Sequence, residues 1–331
     1  MEERILGRTE RPVSVVGLGT WQLGADWGEV SETEALDVLG VAVAAGVTFF
    51  DTADVYGDGR SEQLIGRFVN DNPDLVLTVA TKMGRRVDQV PENYTLTNFR
   101  AWADRSRKNL SVDRLDLLQL HCPPSAVYST DQVYDALDEL VHDGVIAAYG
   151  VSVETVDEAL TAIARRGTAT VQIIFNAFRH KPLEFVLPAA REAGVGIIAR
   201  VPLASGLLSG RYTTSTTFAE NDHRNYNRGG QKFDAGETFS GVDYDQGVAA
   251  AQAFSDLVWD RFRGEVTPAQ AALAWIIQTD GVTTVIPGAR SAEQVRANAA
   301  AAEVEDLGPE FLQQVQTLYD REIRPAVHSR W

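Results

Sequence analysis

Three short apolar runs in this chain each stop at an ionisable side chain: Val-Thr-Phe-Phe-Asp at Asp51, Leu-Thr-Val-Ala-Thr-Lys at Lys82, and Leu-Leu-Gln-Leu-His at His121. Tyr56 follows Asp51 closely, in Asp-Thr-Ala-Asp-Val-Tyr-Gly. A phenol can protonate an alkoxide that forms as a carbonyl is reduced, but its ordinary pKa of about 10 makes it a reluctant donor. An ammonium within about 4–6 Å favours the phenolate, so Lys82 would tune Tyr56 and Asp51 would keep Lys82 charged and fixed. His121 would then hydrogen-bond the carbonyl oxygen. Taken singly, each residue also reads as ordinary structure: an ion pair, a loop aromatic, a packed histidine. The chemistry depends on whether the fold brings them together.

The elements around them alternate, the signature of βαβ units and a parallel sheet. Strands are expected at Val13–Leu18, Val47–Asp51, Leu75–Lys82, Leu115–His121, Ile146–Val151, Thr170–Phe175, Gly196–Val201 and Val282–Ile286. Amphipathic helices are expected at Glu32–Ala45, Ser61–Asn70, Thr97–Asn109, Thr130–His142, Val156–Ala164, Leu183–Ala193, Pro268–Thr279 and Ala292–Ala301. Ser31 stands three residues before Glu34, as in a capping box, and Thr267 precedes a proline at a first helical position. Eight strand–helix pairs close most naturally into an α/β fold of the (β/α)₈ TIM-barrel type, with an open doubly wound sheet as the alternative. Ile5-Leu6 and Val13-Ser14-Val15 read as an N-terminal β-hairpin plug across one barrel end. After the seventh strand, residues 212–246 form a loop too long for an ordinary connection, which marks a lid or binding loop, and a further helix spans Gly247–Phe262. The whole chain, 1–331, reads as one barrel domain. In a barrel, the carboxyl ends of the strands face the active-site mouth, so Asp51, Lys82 and His121 should converge there with Tyr56.

Composition narrows the function classes. A net charge of −16 opposes nucleic acid and anionic membranes, which need a basic face. The charged start Met-Glu-Glu-Arg and the lack of a long apolar run fit a cytoplasmic protein. Cys122 is the one cysteine, so no internal disulfide forms, and the five histidines show no metal-ligand spacing; no metal is expected. Gly17-x-Gly19 follows a strand, but Gln22 occupies the third glycine position of G-x-G-x-x-G, so a Rossmann dinucleotide site is disfavoured.

At this level the sequence resembles the aldo-keto reductase family nearly end to end. The motifs are Gly17-Leu18-Gly19-Thr20-Trp21, Phe50-Asp51-Thr52-Ala53-Asp54-Val55-Tyr56-Gly57, Ala80-Thr81-Lys82, Leu118-Gln119-Leu120-His121, Gly150-Val151-Ser152, Gln172-Ile173-Ile174-Phe175-Asn176 and Ile286-Pro287-Gly288-Ala289-Arg290. The resemblance implies a catalytic tetrad of Asp51, Tyr56, Lys82 and His121, with Tyr56 as general acid, and an extended NADPH, with NADH possible. It implies that Gly19, Thr20, Trp21 and Asp51 border the nicotinamide, with Ser152 and Gln172 on its carboxamide. Arg200, Pro202, Leu203, Ser205, Gly206 and Leu207 would lie along the pyrophosphate, and Gly288, Arg290, Gln294 and Asn298 at the adenosine end. Trp21, Trp27, Val55 and Met83 would wall the substrate pocket. The chain departs from the family at Val153, where asparagine is frequent; at Gly288 and Gln294, where some members carry lysine and arginine for the 2′-phosphate; and at Glu10, where the first hairpin often has glycine.

Other features read as structure. Cys122 and His121 are neighbours on a strand and point to opposite faces, so they form no nucleophilic pair. Asp222-His223-Arg224 reads as a charged, solvated loop ahead of a cofactor clasp. The expected function is NAD(P)H-dependent hydride transfer to an aldehyde or ketone, a small-molecule carbonyl substrate. A nicotinamide-binding regulatory subunit and a mainly oxidative alcohol or sugar dehydrogenase are the alternatives. Monomer and homo-oligomer both stay open.

Overall fold

The computed structural model describes residues 1–24, 30–220 and 222–331. β1 (Glu3–Ile5) and β2 (Pro12–Ser14) form an antiparallel hairpin. Glu10 closes it at φ 58, the left-handed geometry that favours glycine. Eight parallel strands follow: β3 (Leu18–Gly19), β4 (Phe49–Asp51), β5 (Thr78–Met83), β6 (Leu117–His121), β7 (Tyr149–Ser152), β8 (Thr168–Ile174), β9 (Gly196–Arg200) and β10 (Thr284–Val285). They pair in chain order. The parallel bridges Val16–Val285 and Gly19–Gly288 join the last strand to the first and close the barrel. The sequence assigned Val13–Leu18 to one strand; the segment is shared, its start pairing in the hairpin and its end in the barrel.

Helices α1 (Glu32–Ala44), α2 (Arg60–Asp71), α3 (Leu96–Leu110), α4 (Asp131–His142), α5 (Val156–Ile163) and α6 (Val186–Ala193) connect successive strands. After β9 come the short α7 (His223–Tyr226), then α8 (Tyr244–Phe262) and α9 (Pro268–Ile277); α10 (Ala292–Ala299) follows β10. Both expected caps form. Ser31 and Glu34 make a reciprocal capping box on α1, and Thr267 does the same with Gln270 on α9. Beyond the helices expected from sequence, the chain ends in α11 (Gly308–Leu318) and α12 (Arg324–Val327), and Trp331 is buried.

Two apolar layers position the mouth. Leu6, Val13, Phe49, Ala80, Leu117, Ile198 and Ile286 fill the barrel interior under the hairpin, while a larger layer lies between barrel and helices. Strand side chains alternate between the two. Phe49 therefore points inward with Asp51, Ala80 with Lys82, and Leu117 with Gln119 and His121. The apolar member plugs the floor, and the polar member two or four residues on opens toward the mouth.

Candidate active site

The four candidate residues meet at that mouth. Lys82 Nζ donates to Asp51 Oδ1 at 2.5 Å, to the Thr52 carbonyl at 2.9 Å and to the Tyr56 hydroxyl at 3.3 Å. Asp51 Oδ2 accepts from Gln172 Nε2 at 2.7 Å and Gln119 Nε2 at 3.2 Å. Lys82 and Asp51 are thus a fully hydrogen-bonded buried pair, the condition under which such a pair can be tolerated. The His121 ring stands edge-on to Tyr56 with centroids 6.0 Å apart, and its Nδ1 has no hydrogen-bond partner among the described residues.

Local sequence holds Tyr56 in place. Gly57 takes φ 58, and a Cβ there would lie 2.2 Å from the Gly24 carbonyl oxygen, so only glycine lets the two loops touch. Behind the loop, Thr52 Oγ1 donates to Ser61 Oγ, Ser61 Oγ to Thr20 Oγ1, and Thr20 Oγ1 to the Asp51 carbonyl, each at 2.8–2.9 Å. This chain of hydroxyls ties the start of α2 to the ends of β3 and β4.

The electrostatics correct one expectation. Lys82 pulls the Tyr56 phenol toward ionisation, but burial outweighs it and the pKa is raised overall. Tyr56 therefore holds its proton at neutral pH, the state a donor needs. Burial, with Arg85, Lys82 and Arg200 nearby, drives His121 well below its usual range, so the imidazole is neutral. Burial lifts the Cys122 thiol to about 12, which fits a free, inert thiol.

A continuous cavity of about 960 Å³ opens on this group, at the upper end of the usual range of about 300–1,000 Å³ for small-molecule sites. Tyr56, His121, Asp51, Val55, Gly19, Thr20 and Trp21 line it, as do Ser152 and Gln172. So do Arg200, Pro202, Leu203, Ser205, Gly206, Gly288, Arg290, Gln294 and Asn298. Two expected members do not. Met83 is fully buried in the outer apolar layer, because it follows Lys82 by one residue and so points to the opposite face. Leu207 is likewise buried, facing α8, where a side chain at Gly247 would strike it. Trp27 lies outside the described residues.

The residues fit a dinucleotide. Ala204, Ser205 and Gly206 take φ of 47°, 56° and 99°, but the N–H groups of Ala204 and Gly206 donate to the Val201 and Leu203 carbonyls at 3.1 and 2.8 Å, so the turn does not offer those two to an anion. The N-terminus of α10, capped by Ser291 and preceded by Arg290, borders the same cavity and favours phosphate. Ser205 is otherwise engaged, its hydroxyl donating to the Glu237 carbonyl at 2.8 Å and accepting from the Phe239 N–H at 3.1 Å. Val153 offers its carbonyl to Arg200 at 3.0 Å.

The long loop is built into the site. His223 is buried beside Trp21 with centroids 5.3 Å apart, and Phe233 lies 6.0 Å from Trp21. His223 and Arg224 line the cavity and Asp222 is buried beside them, so this is not a solvated turn, a correction to the sequence reading. Cys122, Glu154 and Glu237 offer ligand atoms within 4.8 Å of one another, but Arg200 occupies both carboxylates. Sequence reasoning also passed over Gln119, Arg85 and Glu237. Strand alternation from His121 would have found the first and the strand end at Lys82 the second; Glu237, deep in an irregular loop, carried no signal.

Residues 15–320 match the model of the aldo/keto reductase family. The chain belongs to the aldo/keto reductase family. It is an oxidoreductase, an NAD(P)H-dependent enzyme of the carbonyl–alcohol type. Rv2298 of Mycobacterium tuberculosis, an uncharacterized oxidoreductase, is 32% identical over 88% of this chain and 85% of its own. Among solved structures, the glycerol dehydrogenase AKR11B4 of Gluconobacter oxydans superposes with a TM-score of 0.79 at 28% identity, covering 97% of this chain and 95% of that one. The holo form of the aldo-keto reductase AKR11C1 of Bacillus halodurans gives 0.76 at 27%, covering 96% of each. Among the described residues of this reductase, no helix is long and apolar enough to cross a membrane.

Proposed function

We propose that this chain, as one barrel domain over residues 1–331, reduces an aldehyde or ketone with NADPH, using Tyr56 as proton donor. One observation carries the reading: a protonated Tyr56 hydroxyl, 3.3 Å from the Lys82 ammonium, facing a large cavity beside a neutral His121. NADPH supplies the hydride when bound. Ser152 and Gln172 would hold its carboxamide end, and Arg290, Gln294 and Asn298 its adenosine end; all five line the cavity. His121 hydrogen-bonds the carbonyl oxygen and orients it. Tyr56 gives its proton to that oxygen as negative charge grows there, and Lys82, held charged by Asp51, stabilises the phenolate left behind. Trp21, with His223 and Phe233 beside it, excludes water from that end. A cytoplasmic location belongs to the same reading.

A second reading is oxidative. The neighbour from Gluconobacter oxydans is named a glycerol dehydrogenase, and in that direction the same phenol, ionised, takes a proton from the alcohol. Steady-state rates with NADPH plus a panel of neutral aldehydes and ketones, and with NADP⁺ plus the matching alcohols, decide between them. Reduction faster than oxidation near neutral pH, abolished in Tyr56→Phe, supports the reductase; cofactor binding without turnover in either direction overturns both.

A further inference from the structure

Arg85 follows Lys82 by three residues, lines the cavity, and belongs to none of the roles above. Its Nε donates to the His121 carbonyl at 3.1 Å, which fixes the guanidinium to the strand end that presents the imidazole. Nη2 lies 3.6 Å from Glu154 Oε1, too long for a good hydrogen bond, and among the described residues Nη1 has no hydrogen-bond partner.

The neighbouring charges are already paired elsewhere. Arg200 donates through Nη2 to Glu154 at 3.1 Å and through Nη1 to Glu237 at 2.5 Å, and Lys82 is held by Asp51 at 2.5 Å. Arg85 is therefore a cation on the cavity wall whose charge is favoured by Cys122, Glu237 and Glu154 beyond what burial costs, yet whose guanidinium makes no short side-chain ion pair with them. The surrounding field agrees. Burial raises the Glu154 pKa against the pull of Arg200, while Arg85, Lys82 and Arg200 all act against a proton on His121. A guanidinium fork with a donor to spare lines the cavity that Tyr56 and His121 face.

A planar guanidinium with open N–H groups suits a carboxylate. We infer that Arg85 anchors an anionic group of the substrate, and that the substrates are short aldehyde or keto acids, with the carboxylate on Arg85 and the carbonyl at Tyr56 and His121. This rests on the carbonyl-reductase reading. The aromatic wall of Trp21 and Phe233, 6.0 Å apart, lines the same cavity and suits a short carbon skeleton.

The test compares 4-oxobutanoate with its neutral methyl ester, which keeps the same aldehyde, using the NADPH-loaded full chain. Wild type should favour the acid in kcat/KM by at least about tenfold, chiefly through KM. Arg85→Met should bring the acid-to-ester ratio close to one, and Arg85→Lys should retain part of it. Butanoate should inhibit ester reduction in wild type competitively, a readout that needs no variant to fold. The inference is overturned if wild type favours the ester, if Arg85→Met leaves the ratio unchanged, or if butanoate does not compete. Failure of the broader reading looks different: no neutral aldehyde or ketone is reduced at all.

Discussion

The Tyr56 hydroxyl and the Lys82 ammonium lie 3.3 Å apart, and that contact leaves Tyr56 protonated, since enclosure of the phenol outweighs the lysine. Lys82 matters more for the phenolate that forms after proton transfer than for the resting phenol. Tyr56→Phe should lower kcat by about 10²–10⁴, with NADPH affinity, measured by quenching of protein fluorescence, changed little. A variant that turns over at the wild-type rate would remove Tyr56 from the mechanism.

Lys82 is also structural. Removing one partner of a buried ion pair costs about 3–5 kcal/mol, and Lys82→Met leaves Asp51 charged with only Gln119 and Gln172 as donors. Urea unfolding of Lys82→Met should show a loss near the low end of that range, because those two amides stay. Adding Asp51→Asn should return part of the loss, since the orphaned charge is then gone. Equal stability of wild type and Lys82→Met would contradict the pairing.

Cofactor choice turns on the start of α10. Arg290 precedes the Ser291 cap, its backbone N–H donates to Gln294 Oε1 at 2.8 Å, and its side chain borders the cavity. With Arg290 as the local cation for a 2′-phosphate, Arg290→Ala should raise the KM for NADPH by about tenfold, the worth of one charge-assisted contact. The KM for NADH should barely move. A parallel rise for both cofactors would assign Arg290 to a part they share.

The meeting of Asp51, Tyr56, Lys82 and His121 was legible because three apolar runs close on polar residues, and in a parallel barrel those ends share one mouth. Met83 was misplaced by ignoring the same alternation by one residue. The hairpin, the Ser31 capping box and the Thr267 cap were local signals and appeared as expected. What stayed hidden was tertiary. Asp222 and His223 look polar in sequence and are buried only because the loop folds back onto Trp21, and the tail after residue 301 forms helices whose apolar side is set by α8 and the barrel. The net rise in the Tyr56 pKa was equally invisible, because spacing reveals the neighbouring lysine but not the depth of burial.

His180 supplies a pH effect on stability. It is stacked between Tyr319 and Trp275, at 3.9 and 4.7 Å between centroids, and burial lowers its pKa from 6.5 to about 4. The folded pKa lies below the unfolded one, so as pH falls through 6.5 the unfolded chain takes the proton first. Stability from this group is intact above that point, is lost by about 2 kcal/mol at pH 5, and levels off below about 4. Unfolding free energy measured at pH 7.5 and 5.0 should drop more in wild type than in His180→Asn. Equal drops would mean that His180 is protonated in the native state.

Asp54 has the opposite sign. It is completely buried, and neither carboxylate oxygen has a hydrogen-bond partner among the described residues. Burial first, then repulsion from Glu62, raises its pKa from 3.8 to about 7 against the pull of Arg86 and Arg105. Here the folded pKa lies above the unfolded one, so stability is full below 3.8 and falls as pH rises through about 7. Above that, the native chain carries an uncompensated buried charge. Asp54→Asn removes the charge at nearly constant shape and should stabilise the protein by about 2 kcal/mol at pH 8, with little effect at pH 4.5. The two arginines bond to the Asp54 backbone carbonyl, so the substitution leaves those ties in place. A variant less stable than wild type at pH 8 would mean that the carboxylate is held by a cation after all.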